Sequence, residues 1–160
     1  MEFVESVVET LVGGVLLTFL FFLGKEKFFP LPSITGRWYF ELKTELTAYN
    51  PYQDMVLRYV GFLWLEGNRI EGSVEKVYEN SSTGERSYVG TDRTRGVVSG
   101  YVKKNYLGKD RIFLHVVEDG HGRESTNLYD LTYKASGMSG KFFSMVADQS
   151  GTTTWQKTPF

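Results

Sequence analysis

The chain has 160 residues, no cysteine, two histidines and a formal net charge of −1 from 18 basic and 19 acidic residues. Without thiols there is no disulfide framework, thiolate catalysis, zinc finger or iron–sulfur cluster, and so balanced a charge excludes the global positive field that holds proteins on DNA or RNA polymers. The 17 glycines, 10 tyrosines, 12 phenylalanines and 3 tryptophans favour pleated strands and tight turns over helices.

The first element is the exception. Residues 7–23 read VVETLVGGVLLTFLFFL, with Glu9 the one charge, and Phe3 and Val4 extend the run to the roughly 20 residues that span a bilayer. A secretory signal would carry basic residues before the apolar run. Here Glu2, Glu5 and Glu9 come first and Lys25 and Lys27 follow, so a retained transmembrane helix is expected, with the basic side and everything after it in the cytoplasm. Glu9 is costly in lipid, and Gly13 and Gly14 would let a second helix approach closely, so these three are the candidates for membrane function and self-association. Residues 1–27 are read as the anchor and 28–33 as a linker stiffened by Pro30 and Pro32. Residues 34–160 form one small domain.

That domain is a succession of strand-like runs: GRWYFELKTE, DMVLRYVGFLWLEG, RIEGSVEKVYEN, DRTRGVVSGYVKK, RIFLHVVEDG, TNLYDLTYKAS, MSGKFFSMVAD and TTTWQKT. The joints between them, such as Gly67-Asn68, Asp119-Gly120 and Ser136-Gly137, suit hairpins. No segment holds a helical period. Eight antiparallel strands without covering helices bury themselves most simply by closing, so the fold expected is all-β, a small up-and-down antiparallel barrel behind one N-terminal transmembrane helix. A two-sheet sandwich is the alternative.

Register can be argued at one hairpin. If Gly67-Asn68 is a two-residue loop, Glu66 faces Arg69, Trp64 faces Glu71 and Tyr59 faces Lys76. One face then carries Leu57, Tyr59, Leu63 and Leu65 with Ile70, Val74, Lys76 and Tyr78, and is the interior. The other carries Arg58, Phe62 and Trp64 with Glu71, Ser73 and Glu75. Lys76, flanked by Tyr59 and Tyr78, falls where a barrel interior meets its mouth. A carboxylate, water or a ligand anion must satisfy it. Phe62 and Trp64 are exposed aromatics suited to lipid or another protomer.

Arg93 and Arg95 share a strand face and can present two planar forks to phosphate, although a solvated strand edge accounts for them equally. Tyr88, Tyr101, Tyr106, Tyr129 and Tyr133 could stack on bases or bond their edges. His115 lies in a strand and His121 in a turn. No nucleophile with its base, carboxylate pair, metal cluster or phosphate-cradling loop appears, so neither catalysis nor a metal or cofactor is expected.

The apolar anchor, ITGRWYFE at the barrel's opening strand and YVGFLWLEGNRIEGSVEKVYE as its next hairpin together resemble the membrane-tethered β-barrel effectors of CBASS-type bacterial anti-phage defence. Gly36-x-Trp38 is similar to the first strand of lipocalin-like barrels. The resemblance implies a lipocalin-like barrel in the cytoplasm, tethered to the bacterial inner membrane. It would bind a cyclic di- or oligonucleotide from a partner cyclic-nucleotide synthase, and binding would control, by triggering or by restraining it, the self-association that disrupts the bilayer and kills the infected cell. Members typically carry two transmembrane helices where this sequence shows one. The ligand would be met by Tyr59, Lys76, Tyr78, Arg93, Arg95, Tyr129 and Tyr133. Competing readings are an anchored carrier or sensor of an apolar ligand and a ligand-free interaction module.

Overall fold

A computed structural model describes residues 2–120 and 122–160, in two compact units, Met1–Pro32 and Ser33–Phe160. In the first unit, one helix, α1, runs Glu2–Phe28. Its stretch Val4–Lys25, 22 residues, rises about 33 Å at 1.5 Å per residue, enough to cross a hydrocarbon core of about 30 Å. Two hydroxyls within it are satisfied by the helix itself: those of Thr10 and Thr18 donate to the carbonyls of Ser6 and Gly14, at 2.9 and 2.8 Å, so neither is left unpaired in an apolar medium. Lys25 and Lys27 occupy the last turn, where positive charge suits the helix dipole.

The second unit is a closed antiparallel barrel. Its strands are β1 (Gly36–Leu46), β2 (Val56–Glu66), β3 (Arg69–Ser81), β4 (Gly84–Ser87), β5 (Arg95–Lys103), β6 (Arg111–Gly120), β7 (Arg123–Lys134), β8 (Gly137–Ser144) and β9 (Gln149–Gln156). Eight of them pair with their neighbours in chain order, and β1 closes the ring on β9. The ninth, β4, lies outside the ring. It pairs only with the far end of β3, so residues 78–87 form a short ribbon on the rim, and the chain returns through Gly90–Asp92 to β5. The eight ring strands correspond to the eight runs read from the sequence; β4 is an addition.

The β2–β3 hairpin has the expected register from Glu66↔Arg69 to Tyr59↔Lys76. Gly67 alone of its two loop residues has positive φ, +59°, the pattern of a II′ turn. Beyond Lys76 the register slips: Arg58 pairs with Tyr78, leaving Val77 as a β-bulge. A bulge exchanges the faces beyond it, which corrects the placement of Tyr78. Its ring lies on the outer wall under the Arg58 guanidinium, 4.9 Å away, and Arg58 is held by Glu41 at 2.7 Å. Glu79 turns inward in its place.

Alternation along the eight ring strands fills the interior. The end bearing the hairpin turns after β2, β5 and β7 is closed. Ile34, Trp38, Leu63, Ile70, Ile112, Leu131 and Met138 are buried there, and Ile34 accepts a hydrogen bond from Trp38 Nε1 at 2.6 Å. The Lys157 ammonium sits 3.8 Å from the Trp38 ring. In mid-barrel, Phe40 is stacked between Trp155, at 3.7 Å, and Tyr59, at 4.9 Å. Glycine is required where a strand comes close to its neighbour. At Gly151 an added Cβ would run into the carbonyl of Lys43, across the β1–β9 seam that closes the ring.

Candidate functional site

The other end is open. A cavity of about 540 Å³ occupies the mouth, within the range of small-ligand sites. Its apolar lining includes Leu42, Met55, Leu57, Phe142 and Met145; its polar lining includes Lys76, Glu79, Glu118, Glu124, Asn127 and Gln149.

Two polar groups organise it. Near the rim, Lys76 Nζ bonds to Glu79 Oε2 at 3.1 Å, and the Tyr88 hydroxyl donates to the same oxygen at 3.1 Å. The ammonium also lies 5.1 Å from the Tyr88 ring. Tyr88 follows directly on β4, so the rim ribbon is fastened to a lining carboxylate. The sharing is possible only because the Val77 bulge points Glu79 inward.

Deeper, the Glu118 carboxylate accepts from Tyr59 Oη at 3.2 Å and from Asn127 Nδ2 at 2.8 Å, and it is only 4% exposed. Burial pushes the Glu118 carboxyl above the ordinary carboxylate range, against the hydrogen bond from Tyr59, the nearby charge of Lys76 and the hydrogen bond from Asn127. The Tyr59 and Tyr129 hydroxyls are held well above the usual phenol range, first by burial and then by the Glu118 charge. They are therefore neutral donors. Tyr129, one inward step deeper on β7 than Asn127, has a buried hydroxyl with no hydrogen-bond partner among the described residues. Beside these, Gln149 receives the Thr44 hydroxyl at 3.1 Å and donates to the Val146 carbonyl at 2.9 Å, tying the last turn to β1.

The raised Glu118 pKa has a measurable consequence. A carboxyl whose folded pKa exceeds its unfolded one adds stability that is fully present below the ordinary value of 4.5 and is lost as pH rises through the folded value. Glu118→Gln keeps the acceptor for Tyr59 and removes the charge. Relative to the wild type it should gain melting temperature on going from pH 4 to pH 7; thermal unfolding at both pH values checks this, and parallel curves would place Glu118 in solvent.

Of the residues singled out in the sequence, Tyr59 and Lys76 line the cavity, and Tyr129 lies buried beneath it. Tyr133 packs against the core near the closed end, beside Met138. Tyr78 is on the outer wall. Arg93 and Arg95 both spend their forks on Glu75, at 3.0 and 3.2 Å; Arg93 also borders a shallow rim recess with Thr94, and Thr94 in turn lines the main cavity. Phe62 and Trp64 are on the outer wall, 51% and 42% exposed. His115 is outside as well, paired with Ser99 and Leu128, and His121 lies outside the described residues. Among the described residues no group of three His, Asp or Glu could hold a metal ion.

On α1, Gly14 falls between Thr10 and Thr18 on one face, beside a shallow groove shared with Leu11, Val15 and Phe22. Gly13 has open space around its Cα, and Glu9 is exposed.

Glu118 and Asn127, absent from the sequence-based candidates, are legible in the strand alternation. Counting by twos from Ile112 through Leu114 and Val116 reaches Glu118, and counting back from Leu131 through Tyr129 reaches Asn127. Glu79 was not legible, because nothing in VEKVYEN marks Val77 as the bulge.

Comparison with family models, with curated proteins and with solved structures finds no match for this chain.

Proposed function

We propose that the chain is a membrane-anchored receptor whose barrel mouth binds a cyclic di- or oligonucleotide second messenger, and that it serves as an effector of bacterial anti-phage defence. In this reading α1 holds the protein in the inner membrane with the barrel in the cytoplasm. A partner synthase supplies the ligand, and binding controls self-association and membrane disruption. The protein performs no chemistry of its own.

The observation that carries the ligand class is the make-up of the mouth cavity, one ammonium beside a cluster of neutral and acidic hydrogen-bonding groups. Lys76 is the lining cation and would take a phosphate in place of Glu79. Asn127, Gln149 and Glu118 are the side-chain types that read amino and carbonyl edges of bases, with Phe142 as an apolar wall for a base face. The raised Glu118 carboxyl takes up a proton more readily than an exposed one, which lowers the repulsion an incoming anion meets. The test is calorimetric titration of the full chain in detergent with a panel of cyclic di- and trinucleotides. Saturable binding of one member supports the reading. A correctly folded protein that binds none removes it.

The lining also favours a second reading, an anchored carrier or sensor of an amphipathic ligand, because Leu42, Met55, Leu57, Phe142 and Met145 also border the cavity. Saturable binding of a fatty acid, with no nucleotide binding, would select it.

Self-association through α1 is proposed to use the Gly14 face, where small residues at four-residue spacing let two helices approach closely. Gly13→Leu with Gly14→Leu should reduce crosslinked oligomer and cell toxicity severalfold while leaving ligand affinity at the wild-type value. Toxicity that survives with normal membrane insertion would place the contact elsewhere.

A further inference from the structure

We propose that the closed end of the barrel is a lipid-binding surface that lies on the anionic headgroups of the membrane. The inference rests on the reading that α1 spans a bilayer, and goes beyond it by assigning the barrel its own contact with that bilayer.

Charge is segregated along the barrel axis. The turns and strand ends at the closed end carry Arg69, Lys103, Lys104, Lys109, Lys134 and Lys157 against Glu66, Glu71 and Asp110, and Glu71 is paired with Arg69 at 3.3 Å. Asp110 is buried, bonded to Lys104 Nζ and to the Asn105 amide, each at 2.9 Å, so it adds little negative charge to the surface. Lys103, Lys109 and Lys134 are exposed and make no ion pair among the described residues. The mouth rim leans the other way, with Glu45, Asp54, Glu85, Asp92, Glu124 and Asp148 exposed against exposed Lys43, Arg86 and Arg95, the last of them paired with Glu75. In the field of an anionic surface such a body turns its basic end inward.

The apolar groups at the same end suit an interface between water and lipid. Leu107, at the tip of the 104–110 loop, is fully exposed. Trp64 and Tyr101 stand half-exposed on the outer wall beside this end; Tyr101 pairs with Arg69. Trp and Tyr favour the headgroup level, and lysine stems reach along apolar surface while their ammoniums stay in the polar layer. Unpaired lysines of one sign argue against a protein partner, since lysine is depleted from protein interfaces.

The absence of native cysteine makes single-site labelling clean. The full chain carrying Leu107→Cys, or Ser82→Cys on the rim ribbon, is labelled with an environment-sensitive fluorophore and reconstituted in vesicles with or without phosphatidylglycerol. With phosphatidylglycerol present, spin-labelled lipid should quench the label at position 107 about threefold more strongly than the label at position 82. Raising salt from 0.1 to 1 M, which shortens the screening length from about 10 to about 3 Å, should weaken that difference. So should Lys103→Glu with Lys109→Glu and Lys134→Glu. A chain that floats with the vesicles while aqueous iodide quenches both labels equally overturns the surface and leaves the anchor standing. Label–label quenching at position 107 that is indifferent to lipid charge also overturns it, in favour of a second copy. A chain that does not float with vesicles removes the anchor, and the surface falls with it.

Discussion

Replacing Lys76 by glutamate is expected to lower the affinity of the barrel for a cyclic nucleotide by about 100-fold. Lys76 is the cation of the cavity lining, and a charge-assisted bond to phosphate contributes about 1.5–3 kcal/mol, or roughly one to two decades of affinity. Reversal does more than delete that bond. It adds a carboxylate to a lining that already holds Glu79, Glu118 and Glu124, so an incoming anion meets repulsion where it met attraction. Lys76→Met, which keeps the stem and removes the charge, should fall about tenfold, and the gap between the two variants measures the repulsion. Arg93→Ala with Arg95→Ala should cost less than either, because both guanidiniums are engaged by Glu75 on the outer wall. Calorimetric titration of the full chains in detergent reads all three. If Lys76→Glu binds as the wild type does, the phosphates do not lie at the mouth.

The same residues show what could be read in advance. The barrel was legible because its strands alternate cleanly and its turns carry glycine, asparagine or aspartate at the joints. The β2–β3 register followed from a two-residue loop, and it put Tyr59 and Lys76 on the inner face. The rest of the mouth depends on the Val77 bulge, which turns Tyr78 out and Glu79 in. A bulge is one unpaired residue in a strand, and VEKVYEN alternates as well without it as with it. Arg93 and Arg95 illustrate a different limit. Their shared face was readable, but which carboxylate stood across from it was not, since Glu75 comes from a strand whose pairing with β5 skips over β4. The Tyr88 latch on Glu79 depends on both features together and has no signature of its own.

The deepest part of the site is supported from below by Phe40, and truncating it should have the largest effect on stability. Phe40 lies between Trp155 and Tyr59 with all three rings nearly parallel, the interplanar angles being 3° and 6°, and Tyr129 meets it edge-on at 6.1 Å. Phe40→Ala would leave a void enclosed by three large rings on three different strands, which cannot collapse together without breaking the ring of hydrogen-bonded pairs. Substitutions of this kind cost about 3–5 kcal/mol, whereas Phe40→Leu, which retains most of the volume, should cost about 1.5 kcal/mol or less. Thermal unfolding of the full chain in detergent, followed by near-ultraviolet circular dichroism, would order the three proteins. The effect should extend to the mouth. Tyr59 keeps its hydroxyl on Glu118 because its ring is stacked on Phe40, so loss of that support frees the Tyr59 ring, and with it one of the two hydrogen bonds holding the Glu118 carboxylate. Ligand affinity should therefore fall in Phe40→Ala even at a temperature where the barrel remains folded, and remain near the wild-type value in Phe40→Leu. If affinity in Phe40→Ala is unchanged under those conditions, the floor of the cavity does not contribute to binding, and recognition rests on the Lys76–Glu79–Tyr88 group at the rim.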